Sequence, residues 1–169
     1  MRIDRLVKDL LDYSMPENNE LERLDGSSVM IDALDLLTGQ GVFSELRIER
    51  ELTIPLPDVS AQRHKLFQVF VNLLLNARDA SSPGGTIRLF ASKEGGWVRF
   101  AVSDDGEGME PETIPHLFDP FFTTKEVGAG TGLGLSVTYG LVNAYGGYIE
   151  CESAPGRGTT FSIFFPQAR

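Results

Sequence analysis

Cysteine is nearly absent from this 169-residue sequence, Cys151 being the single one. A lone thiol excludes a disulfide framework and accords with a reducing compartment. Long apolar runs are also missing, and none reaches the ~20 residues needed to span a bilayer as a helix. The first residues lack the basic, apolar and small-residue succession of a secretory leader. These absences predict a cytoplasmic chain, with membrane anchorage of a longer parent left open. Positive charge is the minority sign: 15 Lys and Arg stand against 24 Asp and Glu, a formal net charge of -9. Such a field repels nucleic acid and anionic lipid, so any bound polyanion has to be held by local backbone and metal contacts. What is present, 41% hydrophobic and 23% charged residues, suffices for one ordinary core.

Ile3, Leu6, Val7, Leu10 and Leu11 fall at helical spacing and form a narrow apolar stripe with no capping residue before it. Packing on its own domain and a dimer seam both fit this stripe. Met15-Pro16 breaks it, because a residue before proline avoids the α region. The predicted boundary therefore divides residues 1–16 from a domain at 17–169. Within that domain, helices are predicted at residues 28–37, bracketed by Gly26 and Gly39, at 60–80 and at 133–145. Strands are predicted at 46–54, 86–91, 97–103, 148–153 and 159–165, with Gly-containing hairpin turns joining 86–91 to 97–103 and 148–153 to 159–165. Residues 104–130 are long for a structureless connector and are read as a functional lid. The pattern predicts a two-layer α/β sandwich.

Four segments carry chemistry. Asn72, Asn76 and Asp79 share one side of the long helix, amid Val71, Leu73, Leu74 and Leu75. Amides and a carboxylate there need partners, which a hard cation such as Mg²⁺, a nucleotide's polar groups or an adjacent loop could supply. Asp104-Asp105-Gly106-Glu107-Gly108-Met109 follows a strand. Its carboxylate can accept from an exocyclic amine, and its glycines admit a flat ligand, although a solvated acidic turn has the same letters. Gly130-Thr131-Gly132-Leu133-Gly134 opens the last helix, where backbone N–H groups attract phosphate; a hinge would look alike. Phe118-Asp119-Pro120-Phe121-Phe122-Thr123-Thr124-Lys125 offers an aromatic anchor and a cation for phosphate, with at least one ring expected as a core plug. Neither a P-loop nor a dinucleotide-binding glycine fingerprint occurs.

Taken in order, these segments resemble the N, G1, F and G2 boxes of two-component sensor histidine kinases. Gly158-Thr159-Thr160-Phe161 is similar to the terminal strand motif of the same ATPase superfamily, and residues 1–16 resemble the end of a dimerisation helix. The wording from Phe118 to Lys125 is most similar to the nitrogen-regulator type. The resemblance implies a Bergerat ATP-binding fold, a mixed and mostly antiparallel sheet with helices on one face. It implies ATP and Mg²⁺ as ligands, with Asn76 on the metal and Asn72 beside it. Asp104 would accept from the adenine amine, with Gly106, Gly108 and Met109 shaping the base pocket and Thr159 supporting it. Gly130, Thr131, Gly132, Leu133 and Gly134 would line the phosphates, with Asp79, Phe122 and Lys125 also at the nucleotide.

The implied partners are a dimerisation and histidine-phosphotransfer domain and a response regulator, within a homodimeric parent. No contact with nucleic acid is expected, and none with the membrane by this chain itself. The two histidines, His64 and His116, lie in no acceptor motif and are read as surface or structural residues. The acceptor is therefore expected elsewhere. A degenerate, binding-only module is the alternative from another class. A hydrolase of the gyrase or chaperone type is disfavoured, because the amide of Asn72 cannot act as a base on water.

Overall fold

The structure is a computed structural model that describes residues 20–125 and 132–169. The stripe at residues 3–11 and the glycine-loop residues Gly130 and Thr131 lie outside the described residues. In chain order the elements are β1 (Glu22–Leu24), α1 (Gly26–Gly39), β2 (Arg47–Leu52), β3 (Val59–Ala61) and α2 (Arg63–Ala80). They continue with β4 (Thr86–Glu94), β5 (Trp97–Asp104), α3 (Gly134–Ala144), β6 (Tyr148–Ser153) and β7 (Thr159–Pro166).

Local chemistry sets several boundaries. Asp25 caps α1, its carboxylate accepting from the Ser27 backbone N–H at 2.9 Å. Gly26 and Gly39, expected to bracket this helix, are its first and last residues. The helix predicted from residue 60 starts at Arg63, because residues 59–61 form β3 and pair with β1 in a two-stranded sheet. Both strands are three residues long, too short for alternation to show in the sequence.

The main sheet has the order β2-β4-β5-β7-β6. The β2–β4 pair is parallel and the other neighbours are antiparallel, as the mixed-sheet expectation requires. The parallel pair arises because α2 lies between β2 and β4 in the chain, a crossover rather than a hairpin. β2 closes one edge with Arg47, Glu49, Arg50 and Glu51, charges that discourage further strand pairing.

Alternate residues of β5 and β7 (Val98, Phe100 and Val102; Phe161, Ile163 and Phe165) are buried against the helices. Phe100 centres this layer: Phe70 of α2 meets it edge-on at 5.4 Å between ring centroids, and Phe165 lies at 6.4 Å. No helix of the described residues is long and apolar enough to cross a membrane.

Gly26 sits directly over Phe100, where a Cβ would collide with the ring. Since Phe100 is closed in by Phe70 and Phe165, Gly26→Ala should destabilise the fold by ~1–3 kcal/mol in urea unfolding. An alanine variant as stable as the native chain would show that the ring can yield.

Candidate functional site

The polar side of α2 does two different jobs. Asn72 is committed to the protein: its amide nitrogen donates to the Gly134 carbonyl at 3.1 Å and to the Thr138 hydroxyl at 3.3 Å. It thereby ties α2 to the first turn of α3. Asn76, one turn further on, has a buried amide nitrogen with no partner among the described residues. An unpaired buried donor costs ~1–3 kcal/mol, which a ligand oxygen would recover. Asp79 completes the row, but it takes Arg78 Nε at 2.8 Å and the Lys125 ammonium. Lys125, expected at phosphate, is thus neutralised by Asp79 here.

The segment after β5 reaches the end of α2. The Glu107 N–H donates to the Ala80 carbonyl at 3.3 Å, and a Cβ on Gly106 would collide with that same carbonyl. Gly108 adopts φ +68° and is pressed against the Ala154 carbonyl. Both glycines were expected to make room for a flat ligand; what they admit first is the protein's own backbone. This packing brings the Asp104 loop to within about one helical turn of Asn76.

Asp104 is 7% exposed and ends its strand with its carboxylate accepting from the Gly106 N–H at 3.0 Å. Burial pushes its carboxyl above the ordinary carboxylate range. The N–H groups of Gly106 and Thr159 oppose that rise, while the charges of Asp105 and Glu107 add to it. Thr159, also buried, stands across from Asp104 in the β5–β7 register. Burial also raises the nearby Cys151 thiol to about 12, with further contributions from Asp104 and Glu152.

The aromatic segment divides. Phe118 and Phe122 pack against the core, Phe118 stacking on Tyr139 of α3 at 5.1 Å and Phe122 lying 5.8 Å from the His116 ring. Phe121 is 75% exposed, so the expected anchor consists of two rings. Its N–H donates to the Gly132 carbonyl at 2.9 Å, and Gly132 (φ +67°) has no room for a side chain against the Phe121 backbone. Leu133 is half-buried ahead of α3, accepting from the Ser136 hydroxyl at 3.0 Å. Gly134 borders Asn72 only at ordinary contact distance, so the described neighbours do not demand glycine there. Met109 is half-buried against the core.

Several working residues carried no signal in the sequence. Asp105 accepts from the Thr86 N–H at 3.0 Å and pins the loop to β4. Thr138 holds Asn72 across 66 residues of chain, and the Ser153 hydroxyl meets that of Thr159 across the β6–β7 pair. His116 pairs with Asp119 at the surface, while His64 has a buried ring nitrogen without a partner among the described residues.

A nucleotide with a divalent ion fits this set. Asn76 offers a donor that a phosphate oxygen could take, and its amide oxygen is a hard ligand. Mg²⁺ commonly uses one or two protein oxygens together with substrate phosphates. The described residues hold no group of three His, Cys, Asp or Glu that would form a cage by itself.

Residues 61–169 match the family described as histidine kinase-, DNA gyrase B-, and HSP90-like ATPase. The chain belongs to that family. Among relatives of this ATPase domain, sensor kinase CckA of Brucella abortus (strain 2308) is 40% identical over 181 residues, spanning 98% of the chain and 19% of CckA. Sensor histidine kinase ZraS of Escherichia coli (strain K12) is 34% identical over 165 residues, 98% of the chain and 35% of ZraS. The catalytic domain of histidine kinase ThkA, in a nucleotide-free form, matches with a TM-score of 0.77 at 28% identity, over 88% of the chain and 96% of that domain. The chain thus spans about a fifth to a third of these two curated relatives but nearly all of the ThkA domain. This ATPase-family chain is the catalytic ATP-binding domain of a sensor histidine kinase.

The raised carboxyl of Asp104 has a consequence for stability. A buried acid of this kind stabilises the fold fully below the ordinary carboxylate range and loses that contribution as pH rises through its elevated folded value. Asp104→Asn should therefore gain stability relative to the native chain at neutral pH, and the gap should close in acid. Paired denaturant titrations at the two pH values read it; a pH-independent gap would contradict it.

Proposed function

We propose that this domain binds ATP with Mg²⁺ and transfers the γ-phosphate to a histidine imidazole on a dimerisation domain, for onward passage to a response regulator. The observation that carries this reading is the buried, unpartnered amide of Asn76, one turn from the loop that presents the Asp104 carboxylate. Asp104 accepts from the adenine amine, and Thr159 supports it. Gly106, Gly108 and Met109 shape the base end. Asn76 holds the ion together with the phosphates, while Asn72 keeps the first turn of α3 beside it through Gly134 and Thr138.

The backbone N–H groups from Gly130 to Gly134 attract phosphate oxygens, because the start of an α-helix carries partial positive charge. Mg²⁺, when bound, neutralises charge on the phosphates. Phosphoryl transfer demands mainly positioning and charge neutralisation, so a set of amides and glycines is adequate. As the imidazole nitrogen bonds to the γ-phosphorus, the bond to the bridging oxygen breaks and ADP leaves. Lys125 reaches phosphate only by leaving Asp79, and Phe122 fixes the segment that carries it.

Residues 1–16 are assigned to the end of the dimerisation helix and 17–169 to the catalytic domain. The wording of Phe118 to Lys125 supports a nitrogen-regulator type of kinase. A single cysteine, Cys151, accords with a cytoplasmic setting for the domain, within a homodimeric parent.

Radiolabelled ATP, this chain and separate histidine-bearing helices form the test. Acid-labile label on the helices alone is expected, and Asn76→Ala should cut the rate by about a hundredfold or more with the fold intact. Acid-stable label on this chain would overturn the assignment.

A further inference from the structure

Ser153, Thr159 and Asp104 stand in one row across three strands. Ser153 pairs with Thr159 in the β6–β7 register, and Thr159 pairs with Asp104 in the β5–β7 register. The Ser153 hydroxyl donates to the Gly158 carbonyl at 3.0 Å and lies 2.8 Å from the Thr159 hydroxyl. The Gly158 carbonyl and the Thr159 N–H belong to one peptide plane, which is rigid. Ser153 holds the oxygen side of that plane, while Thr159 itself pairs with Asp104 across the β5–β7 ladder and its N–H favours the charged carboxylate. Gly158 is pressed so closely on the Asp104 backbone that a Cβ there would collide with its carbonyl. A tilt of the plane would therefore move the carboxylate.

We propose that Ser153 is a positioning residue that sets selectivity for a 6-amino purine, by fixing the Gly158–Thr159 peptide that aims the Asp104 carboxylate. The inference rests on the nucleotide reading above. A carboxylate accepts from a 6-amino group but faces an acceptor when the purine carries a 6-oxo group, so its aim discriminates the two bases. Ser153 meets the Gly158 carbonyl and the Thr159 hydroxyl. Its influence passes through the peptide and through the Thr159 hydroxyl beside it.

The test is calorimetric titration of the full chain with ATP and with ITP, each in Mg²⁺. The native chain should favour ATP. Ser153→Ala should weaken ATP by about tenfold, leave ITP unchanged and so lower the preference by the same factor, while Ser153→Thr restores it. Equal losses for both nucleotides, or no change in either, would overturn the positioning role while leaving the nucleotide site in place. Failure of the native chain to bind either nucleotide would instead overturn the underlying reading, and with it this inference. Should Ser153→Ala not fold, Ser153→Val against Ser153→Thr gives the same comparison at matched shape. Equal preference in those two variants would show that the hydroxyl has no part.

Discussion

A carboxylate buried at a strand end constrains much of this molecule. Asp104 loses water by ending β5 inside the fold, and two backbone N–H groups, from Gly106 and Thr159, compensate part of that cost. Holding both donors in place requires the chain on either side to approach closely. Gly106 lies against the Ala80 carbonyl, Gly108 against Ala154 and Gly158 against Asp104 itself. Side chains are excluded at these three points by protein backbone, before any ligand is considered. The acidic glycine-rich run is thus first a packing device, and its packing is what presents the carboxylate.

The two asparagines of α2 show how one helix serves structure and chemistry together. Asn72 spends its amide nitrogen on α3, securing the start of that helix. Asn76 keeps a buried side-chain N–H with no partner among the described residues. The net charge of -9 makes this division necessary. A field of this sign gives a polyanion no long-range attraction, so binding one would rest on short-range donors placed in advance. The Lys125–Asp79 contact fits the same logic, because a cation already paired adds little free positive potential.

Elements with a long period were legible in the sequence. The apolar face of α2, the two hairpins at β4–β5 and β6–β7 and the order of the glycine-rich segments were all readable, because each repeats a local rule several times. The sandwich followed from them. Elements defined by a single distant partner were not readable: β1 and β3 have three residues each and exist through one another. The glycine positions were recognised but their occupant was not, since the letters cannot say whether a ligand or Ala80 stands opposite Gly106. Ser153, Thr138 and Asp105 act through bonds spanning 6, 66 and 19 residues. No spacing rule encodes such bonds. Three neighbouring phenylalanines looked alike, yet only the fold separates the exposed Phe121 from the two that pack.

The thiol of Cys151 lies on β6, two residues from Ser153, and burial raises it to about 12. At neutral pH roughly one such group in 10⁵ is ionised. Oxidants and electrophiles attack the thiolate form, so this sulfur behaves as a small packing atom. The hydroxyl row beside it takes its alignment from hydrogen bonding across the β6–β7 pair.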